Sequence, residues 1–254
     1  MGRLDGKIAL ITGAGRGVGY GIAMAMAKEG ADIAIVEIDS ETAGKTKSEV
    51  ERLGRRSHAV VADIATREAC ETSVAACVEA LGGLDVLVNN AAVAPQIAPI
   101  VEMQDEPFRR TVDVCMMATF WCMQAAHPHL LARGGGSIIN FGSGAATSGM
   151  VNQIAYAAAK EGIRGMTRVA ANEWGPQGIR VNTICPLATS EAMVGWAKDQ
   201  PGLLARYEAK IPLQRIGDCE DDIGRAVVFL ASEDAHYVTG NTMFLDGGYG
   251  STRA

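Results

Sequence analysis

The segment KIALITGAGRGVG, residues 7–19, passes from a short apolar run into a glycine-rich turn. The run is typical of a buried strand, and the pattern after it predicts a helix that begins near Val18. Glycines at such a turn let the backbone approach a pyrophosphate, while the helix points its amides and positive dipole end at the phosphates. Gly13, Gly17 and Gly19 depart from the strict G-x-G-x-x-G spacing, since their first gap is longer. A plain loop would also explain these glycines, so the rest of the chain must decide.

The same rhythm continues along the chain. Segments of helical period, rich in Ala, Glu and Lys, alternate with seven short apolar runs. This βαβα alternation predicts an α/β fold with a doubly wound parallel sheet and helices on both faces. No Pro/Ser-rich linker or internal repeat interrupts it, so we expect residues 1–254 to form a single domain. The runs are KIALITG, ADIAIVE, SHAVVAD, LDVLVNN, GSIINFG, IRVNTIC and NTMFLDGG.

Polar and small residues follow the runs, where ligands bind in such sheets. Glu37 ends the second run, 20 residues beyond Gly17, and its carboxylate can accept both ribose hydroxyls of an adenosine. Asp63 follows the third run, and residues 89–92, Asn-Asn-Ala-Ala, follow the fourth. Each alone is also ordinary turn chemistry. Because all lie in register at one predicted edge, we interpret them as a nucleotide site.

Composition narrows the partners. The chain has 254 residues, 48% of them hydrophobic and 20% charged, as in ordinary globular proteins. The net charge of -6 and the absence of a Lys/Arg block argue against nucleic acid or an anionic membrane, so a small molecule is the expected partner. The N-terminus lacks the features of a signal peptide and no stretch approaches 18 apolar residues, so we expect a cytoplasmic location.

The six cysteines show neither disulfide nor zinc-site spacing. They contain no CxxC motif and lie within apolar periodic segments, which favours buried free thiols. His and Cys also lack ligand spacing, so we predict no metal site.

A phenol and an ammonium stand four positions apart in SGMVNQIAYAAAKEGIRGMT, residues 148–167. On a helix this spacing puts Tyr156 and Lys160 on one face, and the small residues around them let a ligand come close. The alternative is that Tyr156 and Lys160 are an ordinary helix tyrosine and a solvated lysine without a function. Because the pair occurs in a chain with a predicted cofactor loop, we interpret it as catalytic. An ordinary phenol has a pKa near 10, so proton transfer near neutral pH requires that this pKa be lowered. The shift corresponds to about 3–4 kcal/mol, which a nearby cation can supply.

With these motifs in hand, the chain resembles the short-chain dehydrogenase/reductase family. The segments that carry the resemblance are ALITGAGRGVG, VNNAA, SIINFGS, YAAAK, IRVNTICP and VTGNTMFLDGG, and they span nearly the whole chain. The resemblance implies a Rossmann fold with a seven-stranded parallel sheet and an NAD(P)-dependent oxidoreductase that acts on a secondary alcohol or ketone. It implies that Tyr156 is the general acid/base, that Lys160 also bonds the nicotinamide ribose, and that Ser143 holds the substrate oxygen. The implied cofactor contacts are Gly13, Arg16, Gly17, Val18, Gly19, Glu37, Ile38, Asp63, Ile64, Asn90, Ala91, Ala92, Tyr156, Lys160, Pro186, Leu187 and Thr189.

The chain departs from the family at three positions. Cys115 stands where the family has a fourth catalytic residue, an Asn that helps to hold a proton-relaying water. A thiol is a weak donor and acceptor, so we expect impaired rather than abolished turnover. Ala92 and Leu187 replace glycines of the family motifs, and we expect the bulk of Leu187 near the nicotinamide to narrow the pocket.

The substrate is less well specified. Two segments, APQIAPIVEMQDEPF and LATSEAMVGWAKDQPGLLARYEAKIPLQ, are expected to form the walls and lid of its pocket. Their apolar residues suggest an apolar alcohol or ketone, although packing explains Met and Trp equally well. Arg206 and Lys210 are the alternative, because they could receive an acidic group. The candidate substrate contacts are Ser143, Gln153, Tyr156, Met193 and Trp196.

NAD is favoured over NADP as the cofactor. The Glu37 carboxylate can accept a hydrogen bond from the ribose 2′-hydroxyl of NAD but repels the 2′-phosphate of NADP. Ile38 offers no offsetting cation, whereas Arg16 is the contrary signal because a guanidinium can bind that phosphate.

Two other functions stay open at this point. An NADPH-dependent 3-oxoacyl (ketoacyl) reductase would share the fold and catalytic residues. A catalytically weakened nucleotide-binding homologue would tolerate Cys115, but the presence of Ser143, Tyr156 and Lys160 counts against it. Because the family commonly forms homotetramers through two helices, here roughly 108–131 and 154–174, and both are apolar beyond one stripe, we expect a homotetramer or at least a dimer.

Overall fold

A computed structural model of the protein describes residues 2–198, 200 and 202–250, without the side chains of Ala192 and Trp196. The seven predicted apolar runs each form a strand of one parallel sheet. The strands are nearly continuous in Val, Ile, Leu and Ala because a parallel sheet is covered on both faces. Their bounds are Ile8–Thr12 (β1), Asp32–Glu37 (β2), Ser57–Val61 (β3), Val86–Asn89 (β4), Gly136–Phe141 (β5), Ile179–Pro186 (β6) and Thr242–Leu245 (β7).

Helices occupy the segments between the strands. Several begin at a side chain that accepts a hydrogen bond from the first turn, such as Asp39 before the second helix and Thr66 before the third. The helices are Gly17–Lys28 (α1), Ser40–Arg52 (α2), Arg67–Leu81 (α3), Asp105–Val112 (α4), Ala118–Ala132 (α5), Gly144–Thr147 (α6), Ile154–Trp174 (α7), Glu191–Ala197 (α8), Leu203–Glu208 (α9) and Arg225–Ala231 (α10).

The helix that the sequence predicts over roughly 108–131 is interrupted. A single π-helical turn, Asp113–Met117, separates α4 from α5. It contains Cys115, so the residue that departs from the family pattern lies at a local irregularity of the helix. Such π-bulges are frequent at functional sites.

Two apolar layers cover the sheet, because successive strand residues point to opposite faces. Ala9 and Ile11 of β1 pack with α1, α2 and α10, whereas Ile8 and Leu10 of the same strand pack with α3, α5 and α7. The predicted doubly wound architecture is therefore confirmed, with helices on both faces.

The strand order β3-β2-β1-β4-β5-β6-β7 reverses direction between β1 and β4. Connections from these two neighbours leave toward opposite faces, which opens a crevice at the carboxyl ends of the strands. The glycine-rich turn after β1 and the Asn-Ala segment after β4 meet at this crevice.

Candidate active site

A cleft of about 520 Å³ lies along the carboxyl edge of the sheet. The glycine turn and Glu37 lie in its lining together with Ser143, Tyr156 and Lys160. The cleft therefore brings the predicted nucleotide site and the predicted catalytic residues into one cavity. Its lining includes all the predicted cofactor contacts except Leu187 and Thr189, namely Gly13, Arg16, Gly17, Val18, Gly19, Glu37, Ile38, Asp63, Ile64, Asn90, Ala91, Ala92, Tyr156, Lys160 and Pro186.

The glycine turn is held in a shape that excludes side chains. Gly13 has a φ of 67°, in the left-handed region. A Cβ on Gly19 would lie 2.1 Å from the Gly13 carbonyl oxygen and 2.5 Å from Asn90 Nδ2. Asn90 in turn donates through Nδ2 to the carbonyl oxygens of Thr12 and Gly13, both at 2.9 Å. Asn90, which follows β4, thus holds the glycine turn in place through hydrogen bonds, and the backbone of the turn lies open to the cleft.

The first amides of α1 face this turn without a competing side chain. Arg16 is the N-cap residue and makes no side-chain cap, and the first turn carries no acidic residue. These amides and the positive end of the helix dipole are therefore available to an anion, as a dinucleotide pyrophosphate requires.

Glu37 is buried at the end of β2 and its carboxylate is fixed by the backbone. Oε2 accepts from the Gly15 amide at 2.9 Å, and Oε1 accepts from the Ile38 amide at 2.8 Å. Arg16 lies on the other side of the same loop, where its charge acts on Asp39. Hydrogen bonds from Thr42, assisted by Arg16, hold the pKa of Asp39 below its ordinary value.

Asp63, one of the predicted cofactor contacts, also lines the cleft. Its Oδ1 accepts from the Ala65 amide at 3.1 Å. Its Oδ2 pairs with Arg110 Nη2 at 2.8 Å, and Arg110 also lines the cleft. No motif in the sequence singles out Arg110, because it lies 47 residues from Asp63 and meets it only in the folded chain.

Tyr156 and Lys160 lie on the first two turns of α7, as their spacing predicts. Lys160 is almost fully buried, at 3% exposure, and its Nζ lies 5.7 Å from the centre of the Tyr156 ring. Ser143 follows β5 and begins α6, where its Oγ accepts from the Ala145 amide at 3.2 Å. A phenol, an ammonium and a hydroxyl therefore share the end of the cleft opposite Glu37, where they can hold an oxygen atom and move its proton.

A row of hydrogen-bonded, buried polar side chains connects the strands and the helix that carry the catalytic residues. Asn89 Nδ2 donates to Asn140 Oδ1 at 2.8 Å, Asn140 Nδ2 donates to Thr167 Oγ1 at 2.9 Å, and Thr183 Oγ1 lies 2.8 Å from the same hydroxyl. The row joins β4, β5, β6 and α7, and buried hydrogen bonds of this kind fix relative position.

Cys115 lies outside the lining of the cleft. It is 1% exposed, while its neighbour Val114 lines the cleft. Its carbonyl oxygen accepts from Thr119 Oγ1 at 2.7 Å. The thiol is therefore buried in the packed interior, and Val114 is the residue of the π-helical turn that reaches the cleft.

Leu187 and Thr189 are the two predicted cofactor contacts that are not among the residues lining the cleft. The segment that carries them is pinned at both ends, because the Leu187 amide donates to the Leu245 carbonyl at 2.9 Å and the Thr189 amide donates to the Gly217 carbonyl at 2.8 Å. Side chains alternate along extended backbone. Pro186 therefore lines the cleft, whereas Leu187 lines a second cavity beside Arg215 and Phe244.

The predicted substrate contacts are only partly together. Ser143 and Tyr156 line the cleft. Gln153 and Met193 are half-buried outside its lining, and Gln153 Nε2 lies 3.1 Å from Met150 Sδ. The prediction for Trp196 concerns a side chain outside the described part of the structure.

Ser190 and Glu191 are lining residues that the sequence did not single out. Ser190 caps α8 by accepting from the Met193 amide at 3.2 Å. A Cβ on Gly17 would lie 3.5 Å from Ser190 Cβ, so the start of α8 closes over the glycine turn. The Ser-x-x pattern before a short helix signals a cap but does not reveal which loop the helix covers.

The residues of the cleft fit a dinucleotide. The open backbone at the glycine turn suits the pyrophosphate, Glu37 suits a ribose diol, and Lys160 with Tyr156 suits the second ribose and the reacting oxygen. Within the described residues, no cluster of three or more His, Cys, Asp or Glu side chains is arranged to hold a metal ion. Nor does any described helix have the length and apolar character needed to cross a membrane.

Comparison with known proteins agrees with this geometry. The model of a family described as enoyl-(acyl carrier protein) reductase matches residues 13–250. The chain is 40% identical to a 12α-hydroxysteroid dehydrogenase of a Clostridium species, over 98% of this chain and 99% of that protein. It is also 40% identical to a D-threitol dehydrogenase of Mycolicibacterium smegmatis, over 97% and 94% of the two chains.

A solved structure shares the whole fold. The structure of a 7α-hydroxysteroid dehydrogenase complexed with NADH and 7-oxoglycochenodeoxycholic acid superposes with a TM-score of 0.91 at 32% identity, covering 97% of this chain and 95% of that one. The fold, the site and these relatives define an NAD(P)-dependent oxidoreductase that acts on CH–OH groups. The chain belongs to the short-chain dehydrogenase/reductase family.

Proposed function

We propose that the protein interconverts an apolar secondary alcohol and its ketone with NAD rather than NADP, and that Tyr156 is its general acid/base. One observation carries the proposal: a single cleft holds the backbone-fixed carboxylate of Glu37 at one end and Ser143, Tyr156 and Lys160 at the other. The two ends match the adenosine ribose and the reacting carbon of one dinucleotide–substrate pair.

The residues act on the alcohol as follows. A dinucleotide held by the glycine turn, Glu37 and Lys160 would supply the nicotinamide that takes the hydride in oxidation and provides it in reduction. Ser143 Oγ bonds the substrate oxygen, and as a hydroxyl it serves both the alcohol and the ketone. Tyr156 Oη takes the hydroxyl proton in oxidation and gives it back in reduction. The buried Lys160 ammonium stabilises negative charge on the phenol oxygen and bonds the ribose beside it.

The cofactor preference rests on Glu37. Both carboxylate oxygens of Glu37 already accept hydrogen bonds from backbone amides. The carboxylate therefore cannot rotate away from a 2′-phosphate without losing those bonds. Arg16, in the same turn, is the contrary signal, because its guanidinium lines the cleft and could bind the phosphate. We expect Glu37 to outweigh it, because the phosphate would first have to displace a carboxylate that two backbone amides hold in place.

The apolar character of the substrate is supported by the surroundings of the catalytic end. Phe141, two residues before Ser143, lines the cleft, as do Val93, Ala94 and Val114. The hydroxysteroid dehydrogenase relatives act on large alicyclic alcohols, as their names state, whereas the D-threitol dehydrogenase is named for a polyol. The apolar lining favours the first type.

We also propose one NAD(P)-binding domain over residues 1–254, a homotetramer and a cytoplasmic location. The single sheet supports the first. Helices α5 and α7 leave apolar side chains at the surface, with Leu131 47% and Val169 56% exposed, which supports the second. Six free cysteines, with burial raising the pKa of Cys185 and Cys219 to about 11, are typical of a reducing compartment.

A turnover screen tests the proposal. Three alcohols are tested with NAD or NADP: cyclohexanol, a hydroxysteroid and a linear polyol. An acyl thioester is tested with NADH or NADPH. Turnover is followed by the change in NADH or NADPH absorbance. We expect the highest kcat/KM with NAD and an alicyclic alcohol. Preferred reduction of the thioester with NADPH would identify a ketoacyl reductase instead, and no turnover of any compound would contradict an active oxidoreductase.

A further inference from the structure

Ser143 and Tyr156 reach the substrate oxygen from different elements. Tyr156 is on the long helix α7, whereas Ser143 caps α6, a single turn of four residues, Gly144–Thr147. So short a helix has no stability of its own, because nucleating a turn costs more than its hydrogen bonds return. The position of Ser143 must therefore be set by what holds α6 against α7.

Thr147, the last residue of α6, makes that connection. Its Oγ1 lies 3.1 Å from the Ser143 carbonyl oxygen, which also accepts from the Thr147 amide at 3.1 Å. The same hydroxyl oxygen lies 3.0 Å from Glu161 Oε1 and accepts a hydrogen bond from Arg164 Nη1 at 3.3 Å. One hydroxyl thus joins the backbone of Ser143 to two charged side chains of α7.

Those two side chains are themselves fixed. Arg164 Nη1 pairs with Glu161 Oε2 at 2.6 Å, and Arg164 Nε donates to Thr242 Oγ1 of β7 at 3.3 Å. The stem of Arg164 passes under the residue before Ser143, since a Cβ on Gly142 would lie 3.5 Å from Arg164 Cγ. Glu161 directly follows Lys160 in the sequence. The pair is therefore rigid, and it lies behind the catalytic residues rather than among them.

We propose that Thr147, Glu161 and Arg164 are positioning residues, and that through Thr147 they set Ser143 at the distance from Tyr156 that the reaction requires. None of the three residues is among those that line the cleft, so their effect on the reaction runs through Ser143. This inference rests on the proposed role of Ser143 and extends it to residues that act through it.

A double-mutant cycle tests the proposal. Thr147→Val keeps the shape and removes the hydroxyl, and we expect kcat to fall about tenfold, in line with the loss of hydrogen bonds to a charged pair, while the Kd of NADH is unchanged. Thr147→Ser restores the hydroxyl and should return kcat to within about threefold of wild type. In a Ser143→Ala background, Thr147→Val should cost less than about threefold, because the residue it positions is gone.

Ser148→Ala is the matched control. Ser148 is the next residue and is exposed, and its hydroxyl donates to the Ala145 carbonyl at 3.0 Å without reaching α7, so kcat should not change. Glu161→Gln is a second variant in case Thr147→Val does not fold, and should also lower kcat without changing the Kd of NADH. Wild-type kcat in both Thr147→Val and Glu161→Gln, or equal losses with and without Ser143, would overturn the inference. Full activity of Ser143→Ala would instead overturn the proposed function of Ser143.

Discussion

The Gly15 backbone amide donates a hydrogen bond of 2.9 Å to Glu37 Oε2, so the glycine turn itself orients this carboxylate. Two motifs 22 residues apart in sequence therefore act as one unit. The turn that we propose for the pyrophosphate also holds the group that we propose to select the cofactor.

Glu37→Gln should shift the cofactor preference toward NADP. Two like charges about 4 Å apart repel by roughly 1–4 kcal/mol at dielectric constants of 80 to 20, so the ratio of kcat/KM for NAD and NADP should fall by about five- to several-hundred-fold. The ratio is measured with one alcohol. Glu41→Gln, an exposed acid in the first turn of α2, is the control and should leave the ratio unchanged. Wild-type preference for NADP would contradict the proposed role of Glu37.

Tyr156→Phe should lower turnover at least 100-fold, because it removes the proton acceptor, in line with the usual contribution of general acid/base catalysis of about 10²–10⁴-fold. Binding of NADH, followed by its fluorescence, should remain. Tyr237→Phe removes the same hydroxyl at a side chain that is 95% exposed and should have no effect. A Tyr156→Phe enzyme with near wild-type turnover would refute the assignment.

Cys115→Asn should raise the oxidative rate at neutral pH or leave it unchanged. The thiol is buried away from the cleft, and the Cys115 carbonyl is held by Thr119 whichever side chain is present. Initial rates measure activity, and a far-UV circular dichroism spectrum shows whether the variant is folded. Cys115→Ala is the control, because it removes the thiol without adding an amide. Loss of activity in a folded Cys115→Asn variant would show that the thiol has a role of its own.

Gly19→Ala should weaken NADH binding at least tenfold. The added Cβ would lie 2.1 Å from the Gly13 carbonyl oxygen, so the turn must open and its amides must leave the phosphate site. Titration of NADH fluorescence gives the Kd. The control is Gly44→Ala, in α2, where nothing lies within 4 Å of the new Cβ, and it should bind normally. Equal affinities for the two variants would argue against a pyrophosphate at this turn.

Light scattering at micromolar concentration should give the mass of a tetramer, or at least of a dimer. Val169→Lys should lower that mass, because it puts a charge on the exposed apolar side of α7. Lys198→Glu, on the loop after α8, changes charge away from this surface and should not. A monomer mass for the wild type would contradict the proposed assembly.

Much of the site can be predicted from the sequence because its residues follow strands. Strand ends are easy to locate in an alternating pattern, so the positions of Glu37, Asp63 and Asn90 at the carboxyl edge follow from the apolar runs alone. The Tyr156–Lys160 pair is equally accessible, because helical spacing determines which side chains share a face.

The remainder depends on tertiary contacts that no local pattern records. Ser190 and Glu191 reach the cleft because α8 folds back over the glycine turn. Leu187 leaves it because bonds to Leu245 and Gly217 fix the alternation of that segment. The π-helical turn around Cys115 also escapes prediction, since periodicity shows a helix but not one extra residue within it.

The cleft lies where the strand order reverses, so its lining comes from both halves of the sheet. A ligand that touches Gly13 and Glu37 on one side and Ser143 and Lys160 on the other is held only when both halves are folded together. Binding therefore adds to the free energy of global unfolding, by about 2.7 kcal/mol at a ligand concentration 100 times its Kd. A molecule carrying its dinucleotide should therefore resist heat and proteolysis better than an empty one.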